Sequence, residues 1–479
     1  MSASRRLLFS LVLAALASCT RVDVVARGPC VKDADCGSGR CVQGVCAQAA
    51  DAGGGDAAAS DASTADGGSG FCAQSGPIVF VGDSTGTPVC GGDVAQTTFR
   101  YAICSCLELA LSAPLTTDAF DSRTGPYTQG SGGAAVGTNG RLVSNMATLG
   151  IGGSLTVAGA AGTTISGAVG ASVRGDLASG GALGGTGAFQ ILGDARVDGN
   201  VAAAALQVGG SLVYPTGATL SVSPGPLSVG STVRAPVTVS PPCDCGVPPR
   251  LDVAAYVAAQ AASNENATIG LSSTALSAVT TDTTLELPCG RYYLSGIGTA
   301  AGSTAGITVR ANGRVALFVD GSIDVAGRFV VELGAGAEID LFVSDGMRTT
   351  LPLSFGDVTR PSSARLYVGG SGSIALDSGA TIAGNVYAPL ATLQTAGSFV
   401  AYGSIFAYAL QSSADLTVHY DRAILAAAQG CPPKTGGCVT CLDCGNQACV
   451  NGACGACRND ADCCAPLVCS GGSCVPDIQ

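Results

Sequence analysis

The sequence predicts a mainly β protein: a β-solenoid body carrying one inserted helix, flanked by small disulfide-rich modules. Three observations predict it. The apolar content is small and poor in aromatics, with 47% hydrophobic residues, 12% charged residues, 70 Gly and no Trp. Such a composition suits tightly stacked strands better than a large helical core. The middle of the chain repeats one grammar, a few β-prone residues followed by Gly, as in SLTVAG, TTISG, ASVRG, ARVDG and LQVGG. Cysteines gather at both ends at recurring spacings.

Residues 1–18 read as a lipoprotein signal peptide. MSASRR is basic, and LLFSLVLAALA is an apolar run too short to span a bilayer. It runs into Leu16-Ala17-Ser18-Cys19, which resembles the bacterial lipobox. The resemblance implies cleavage before Cys19 and acylation of Cys19, and two or three acyl chains make a stable anchor. Thr20 in place of Asp implies the outer membrane, and Arg5-Arg6 is compatible with twin-arginine export. No later stretch holds about 18 uninterrupted apolar residues, so an internal span is not expected. Net charge is −11 with only 23 Lys and Arg, too few to neutralise a phosphate backbone, which argues against nucleic acid as a partner.

Residues 19–46 hold the lipidated N-terminus and a cysteine-rich module. It reads GPCVKDADCGSGRCVQGVC, with Cys30, Cys36, Cys41 and Cys46. Residues 431–479 repeat it. Cys457, Cys463, Cys469 and Cys474 keep nearly the same spacing around an extra Cys464, and Cys444, Cys449 and Cys454 form a partial copy. Asp33–Cys36 and Asp460–Cys463 are both DADC. Each copy ends in C-x-x-G-x-C, with Gly44, Gly452 and Gly472 at one offset, the position of a tight turn needing positive φ. Units this short cannot bury a core, so cross-links must replace it. The spacing resembles Dickkopf-type cysteine-rich modules, and the Cys463-Cys464 copy is similar to small cystine knots; both likenesses imply a style of fold. With Cys19 set aside, 22 of the 23 cysteines remain, an even number that fits disulfides in an oxidising compartment.

Residues 47–70 are an Ala/Gly/Asp linker. Asp51, Asp56, Asp61 and Asp66 recur every five residues, and the composition predicts a disordered tether. Residues 71–430 form the body. Short strands joined by Gly corners need each turn to stack on the one before it, around ladders of Val, Ile, Leu and Ala. Arg250–Ser263, behind Pro248-Pro249, carries Ala and long side chains at helical spacing and predicts one helix at about 250–263. The body holds Cys72, Cys90, Cys104, Cys106, Cys243, Cys245 and Cys289. Seven is odd, so one of them should bond to the C-terminal group, with Cys431 as the nearest partner.

LPCGRYYLSGI, GRVALFVDGSIDVAG, GAEIDLFVSDG and the stretch from Ala380 to Asp421 resemble the uncharacterised β-helical domain of PilX-type pilus-associated and other bacterial surface proteins. The likeness spans roughly Leu287 to Leu425 and implies a surface β-helix, not an enzyme. The final stretch is also similar in style to bacterial ice-binding solenoids.

Candidate chemistry is sparse. His419, the one histidine, has no second His for a metal and no evident Ser partner, so a surface or capping role is expected. Asp320, Asp324 and Asp340 stand near Gly, where Asp serves as a turn residue. Cys438, Cys441 and Cys444 have zinc-like spacing, but export favours disulfides. Thr163-Thr164 and Thr280-Thr281 do not recur at a turn-length interval, so no regular Thr ladder is visible. No catalytic residue, metal or cofactor is therefore expected. The expected function is non-enzymatic: a lipid-anchored surface protein with a structural, adhesive or filament-associated role. Its partners would be the membrane, a polysaccharide or other surface proteins. A polysaccharide-active β-helix enzyme, marked by carboxylates converging on one face, and an ice- or crystal-surface binder, marked by a flat Thr/Ser face, are the alternatives.

Overall fold

The computed structural model describes residues 39–42, 45–48, 69–72, 76, 80–82, 88–129, 132–145, 147–159, 163–246, 251–430, 438, 448–450, 452–463, 467–470 and 472–476. The signal segment, Cys19, Cys30, Cys36, Cys431, Cys441, Cys444, Cys464 and all but the edges of the linker lie outside them. Two compact units are distinguished, residues 1–65 and 66–479. In the first, strands Gly39–Val42 and Val45–Gln48 pair antiparallel with Cys41 opposite Cys46.

The second unit is a mainly parallel β-solenoid. Each coil visits three faces in turn. Phe329–Leu333 lies on the first, Glu338–Val343 on the second and Met347–Thr349 on the third; the next coil follows with Leu353–Gly356, Ala364–Val368 and Ser373–Leu376. Parallel ladders join equivalent strands, Phe329 to Leu353, Ile339 to Ala364 and Met347 to Ile374. Alternate residues point inward. Ile307, Val309, Phe329, Val331, Leu353 and Phe355 are all buried on the first face. The interior is thus not only small aliphatics, since phenylalanines recur in it. Gly serves the corners: Gly356 has φ 83°, and a Cβ there would lie 2.0 Å from the Ala383 carbonyl oxygen of the next coil. Only a residue without a side chain fits.

The expectation that each turn stacks on the preceding one fails at one place. The last coil, Ile405–Ser412 and Leu416–Asp421, pairs in parallel with the first, Ile103–Leu111 and Leu115–Phe120. The chain therefore enters the column in its middle. It coils outward to Leu227–Arg234, returns along the outside, and coils back from Thr283–Leu294 to the middle. Two halves, each coiling in chain order, meet at a seam.

The return path explains several sequence features together. From Val233 to Gly137, the second-face column descends through Val213, Arg196, Ala178 and Thr156. Five steps of about 4.8 Å need roughly 24 Å, which about eight extended residues supply. Residues 235–242 cover that distance, and the next residue, Cys243, bonds Cys104, while Cys245 bonds Cys106. Beyond them Val253–Gln260 forms the expected helix, starting three residues later than the prolines suggest because the Asp252 side chain caps the Ala255 N–H. Beneath the strap runs an aromatic ladder on the second face. Phe318, Phe342, Tyr367, Tyr387, Phe406 and then Cys104 are successive register partners. All are buried, Tyr256 packs edge-on against Phe318 and Phe342, and Leu251 N donates to Tyr387 Oη. Outward-facing aromatics in a soluble β-column would be a liability; here they are the strap's bed.

A second covered polar patch lies beside the ladder. Arg365 is fully buried, and its guanidinium donates to Asp340 and Glu338. Burial is the largest single influence and works against that charge, but the Asp340 and Glu338 carboxylates together outweigh it and the guanidinium pKa is raised. Glu338 accepts from the Gly76 N–H, and Arg314 donates to the carbonyls of Phe71 and Gly76. With Cys72–Cys289, these bonds fasten residues 69–72 and Gly76 to the column. Asp340 is therefore not a turn residue as expected: it sits mid-strand and is consumed by an ion pair. Asp324 is also within a strand, Ile323–Val325, facing outward.

The C-terminal modules repeat one hairpin. Ala448–Val450 with Ala453–Gly455, and Leu467–Ser470 with Ser473–Pro476, place Cys449 opposite Cys454 and Cys469 opposite Cys474. Gly452 (φ 78°) and Gly472 (φ 83°) make the turns. Cys457 bonds Cys469 and Cys463 bonds Cys474, the first-to-third and second-to-fourth pattern, and Cys438 bonds Cys449. Of the seven body cysteines six pair among themselves, which leaves Cys90; a bond from it to Cys431 lies outside the described residues.

Candidate interaction surface

With the second face covered over the seam-to-cap half, the first and third faces remain open. On the first, one outward column passes through Thr284, Thr308, Val330, Ser354, Thr381, Val400, Thr417 and Thr116. It continues past Gly150 to Ser172, Gln190, Gln207 and Ser228. Hydroxyls and methyls thus repeat at the coil spacing of about 4.8 Å. This is the ladder that sequence reading did not find. Cross-coil partners lie 17 residues apart at Thr395 and Ser412, 22 at Arg310 and Glu332, and 25 at Asp340 and Arg365. No fixed interval exists to detect, and the column jumps the seam from Thr417 back to Thr116. The third face carries Ala375, Gln394, Gln411, Ala110 and Val143 in one outward line, which continues beyond Ala375 through Arg348 and Asp324.

Polar groups on these faces are mutually engaged. Arg310 bridges Glu286 (2.7 Å) and Glu332 (2.8 Å) in neighbouring coils. Asp320 accepts from Tyr293 and Ser344, and Asp377 from Arg348. At one corner Ser154 accepts the Asp176 N–H, Asp176 that of Asp194, and Asp194 that of Ser211. Each short side chain there satisfies the backbone of the next coil, the turn role foreseen for Asp.

His419 is not solitary. Val418 and Tyr420 point inward and His419 outward, as alternation requires. Across the seam its Nδ1 lies 2.6 Å from Asp118 Oδ1, and Tyr127 Oη donates to Asp118 Oδ2 at 2.6 Å. The rings of Tyr127 and Tyr402 stand 4.0 and 4.8 Å from the imidazole. Asp118 is 301 residues away in sequence, so no local signal announced it. Two residues on in the same strand, Asp421 accepts from Ser122 N and Oγ over the same seam, its pKa raised by burial. These contacts lock one half of the column to the other. Where Cys457, Cys463 and Cys474 bring sulfurs together, all three are engaged in disulfides. A cleft of about 470 Å³ lies between Asp176, Asp194 and Arg196 of the column and Asp460, Cys463 and Leu467 of the last module. No helix among the described residues is long and apolar enough to cross a membrane.

Residues 243–426 match a family model described as a domain of unknown function (DUF7305). The match begins at Cys243 and ends just past the seam, so it takes in the chain from that disulfide cysteine through the coils between Thr283 and Asp421, and leaves out the first half of the column and residues 235–242 of the return path. No curated protein and no solved structure matches the chain.

Proposed function

We propose that this chain is a non-enzymatic, lipid-anchored cell-surface protein that presents the open faces of its solenoid to a polysaccharide or to other surface proteins. The observation that carries the reading is the outward column of the first face, long and without a charged residue, behind a lipobox-like N-terminus. Its supporting partner is the use made of the carboxylates: Asp340 is bound to Arg365, Asp118 to His419 and Tyr127, and the corner Asp residues to backbone. Asp176 and Asp194 line the cleft beside the last module, but each accepts the backbone N–H of the next coil, a structural use rather than the acid–base pairing that hydrolysis needs. The anchor is tested by growing cells with labelled palmitate. Label enters the wild type, stays on a larger uncleaved precursor with globomycin, and is absent from Cys19→Ala; equal labelling of Cys19→Ala sinks the anchor.

The same column favours a second reading, a binder of ice or another crystalline surface, because a periodic ligand needs a periodic face. Purified chain would then inhibit ice recrystallisation, and Thr381→Lys, central in the column, would reduce that activity at least tenfold. Equal activity of parent and variant, or none in either, removes this reading.

A further inference from the structure

The two ends of the column differ. At the Thr283–Leu294 end, residues 251–282 close the coil, with Leu276 and Val279 buried and Leu287 fully covered. At the other end nothing among the described residues stacks on the last coil. One coil earlier, Val201, Leu206, Val208 and Leu212 are at most 2% exposed. Their register partners in the last coil are Leu220, Leu227, Val229 and Thr232. Leu227 is 48% exposed and Leu220 and Val229 are only half-buried, while Val233, an outward position farther along the same strand, is 44% exposed. The core simply stops, on a strand edge, Leu227–Arg234, that carries no acid and no Pro. Solenoid ends normally need a polar cap, and bare edges are normally blunted by charge or covered.

From this we infer that the tip formed by Leu220–Val222 and Leu227–Arg234 is an interface with a second copy of the chain, the two tips meeting head to head about a two-fold axis. A cover for this end must offer two things at once: unpaired backbone donors and acceptors at strand spacing, and aliphatic side chains in line with the column interior. The same tip on another copy offers both, and an isologous contact uses one patch twice. Charge points the same way. The chain carries a net −11, so copies repel over most of their surface, but residues 215–234 contain no Asp or Glu. Their one cation is already engaged, with Arg234 over the Tyr214 ring at 3.9 Å and donating to the Ala218 carbonyl. Because the opposite end is closed, association stops at two copies. The patch is small, so the dimer is weak, with half-association at roughly 10 μM, as befits the low end of interface sizes.

Sedimentation velocity on the full chain bearing Cys19→Ser, which removes the acyl group as a cause of association, tests this from about 1 to 200 μM. The expected result is a reversible monomer–dimer equilibrium. Leu227→Asp and Val233→Asp, both at exposed positions that leave the fold intact, weaken it at least tenfold. Leu351→Asp, an equally exposed leucine distant from the tip (41%), leaves it unchanged. A monomer throughout the range overturns the proposal, as does a dimer that Leu227→Asp and Val233→Asp do not weaken. Monomer with the 227–234 amides protected from hydrogen exchange would show instead that a segment of the same chain covers the tip.

Discussion

Replacing Asp340 by Ala is expected to lower the stability of the full chain by about 3–5 kcal/mol, the cost of leaving a buried charge without its partner. Arg365 is inaccessible on every side, and Asp340 is the nearer of its two carboxylates. Once Asp340 is gone, Glu338 must serve Arg365 while also holding Gly76. The substitution therefore reaches beyond its own coil and loosens the hold on Gly76. Joint replacement by apolar residues of similar volume, Asp340→Leu with Arg365→Met, is expected to restore most of the loss, because neither partner is then left charged and dry. Denaturant titration of the parent, the single variant and the double variant reads both effects. A single variant within about 1 kcal/mol of the parent would mean that water reaches Arg365, and the account of this patch would be wrong.

Much of the fold was legible because its signals are local. Gly after a short β-prone run marks a corner wherever it occurs, and Gly452 and Gly472 take the positive φ that the repeated C-x-x-G-x-C demanded. The helix was legible from its own composition, but both bounds were misplaced by three residues: Asp252 rather than Pro248-Pro249 sets its start, and it ends at Gln260. What escaped was everything the seam and the strap create. Phe318, Phe342, Tyr367 and Tyr387 read as ordinary strand aromatics, although they point outward; alternation alone cannot reveal that another segment will lie on them. Asp118 meets His419, and Thr116 extends the Thr417 column, because the chain enters its column in the middle. Stacking order is a long-range property, and coils of unequal length erase the period that would have betrayed it.

The strap supplies the other large expected effect. Cys104–Cys243 and Cys106–Cys245 each close the same long segment, with a sequence separation of 139. In the chain-entropy model a loop of that length is worth on the order of 5 kcal/mol. Once one bond has formed, however, the second closes only a small ring and adds little. The two bonds are thus redundant in entropy. Removing either pair, as Cys104→Ala with Cys243→Ala or Cys106→Ala with Cys245→Ala, should cost no more than about 2 kcal/mol, mostly from lost packing. Removing all four cysteines should cost on the order of 5 kcal/mol or more, far beyond the sum of the two. Non-additivity is the diagnostic, and unfolding midpoints under non-reducing conditions measure it. Limited proteolysis gives a second readout: in the fourfold variant residues 235–250 become cleavable, and the aromatic bed from Phe318 to Phe406 takes up a hydrophobic dye. If the two pairs prove additive, the strap is held by its packing on that bed rather than by covalent closure, and the cysteines are incidental to the permuted path of the chain.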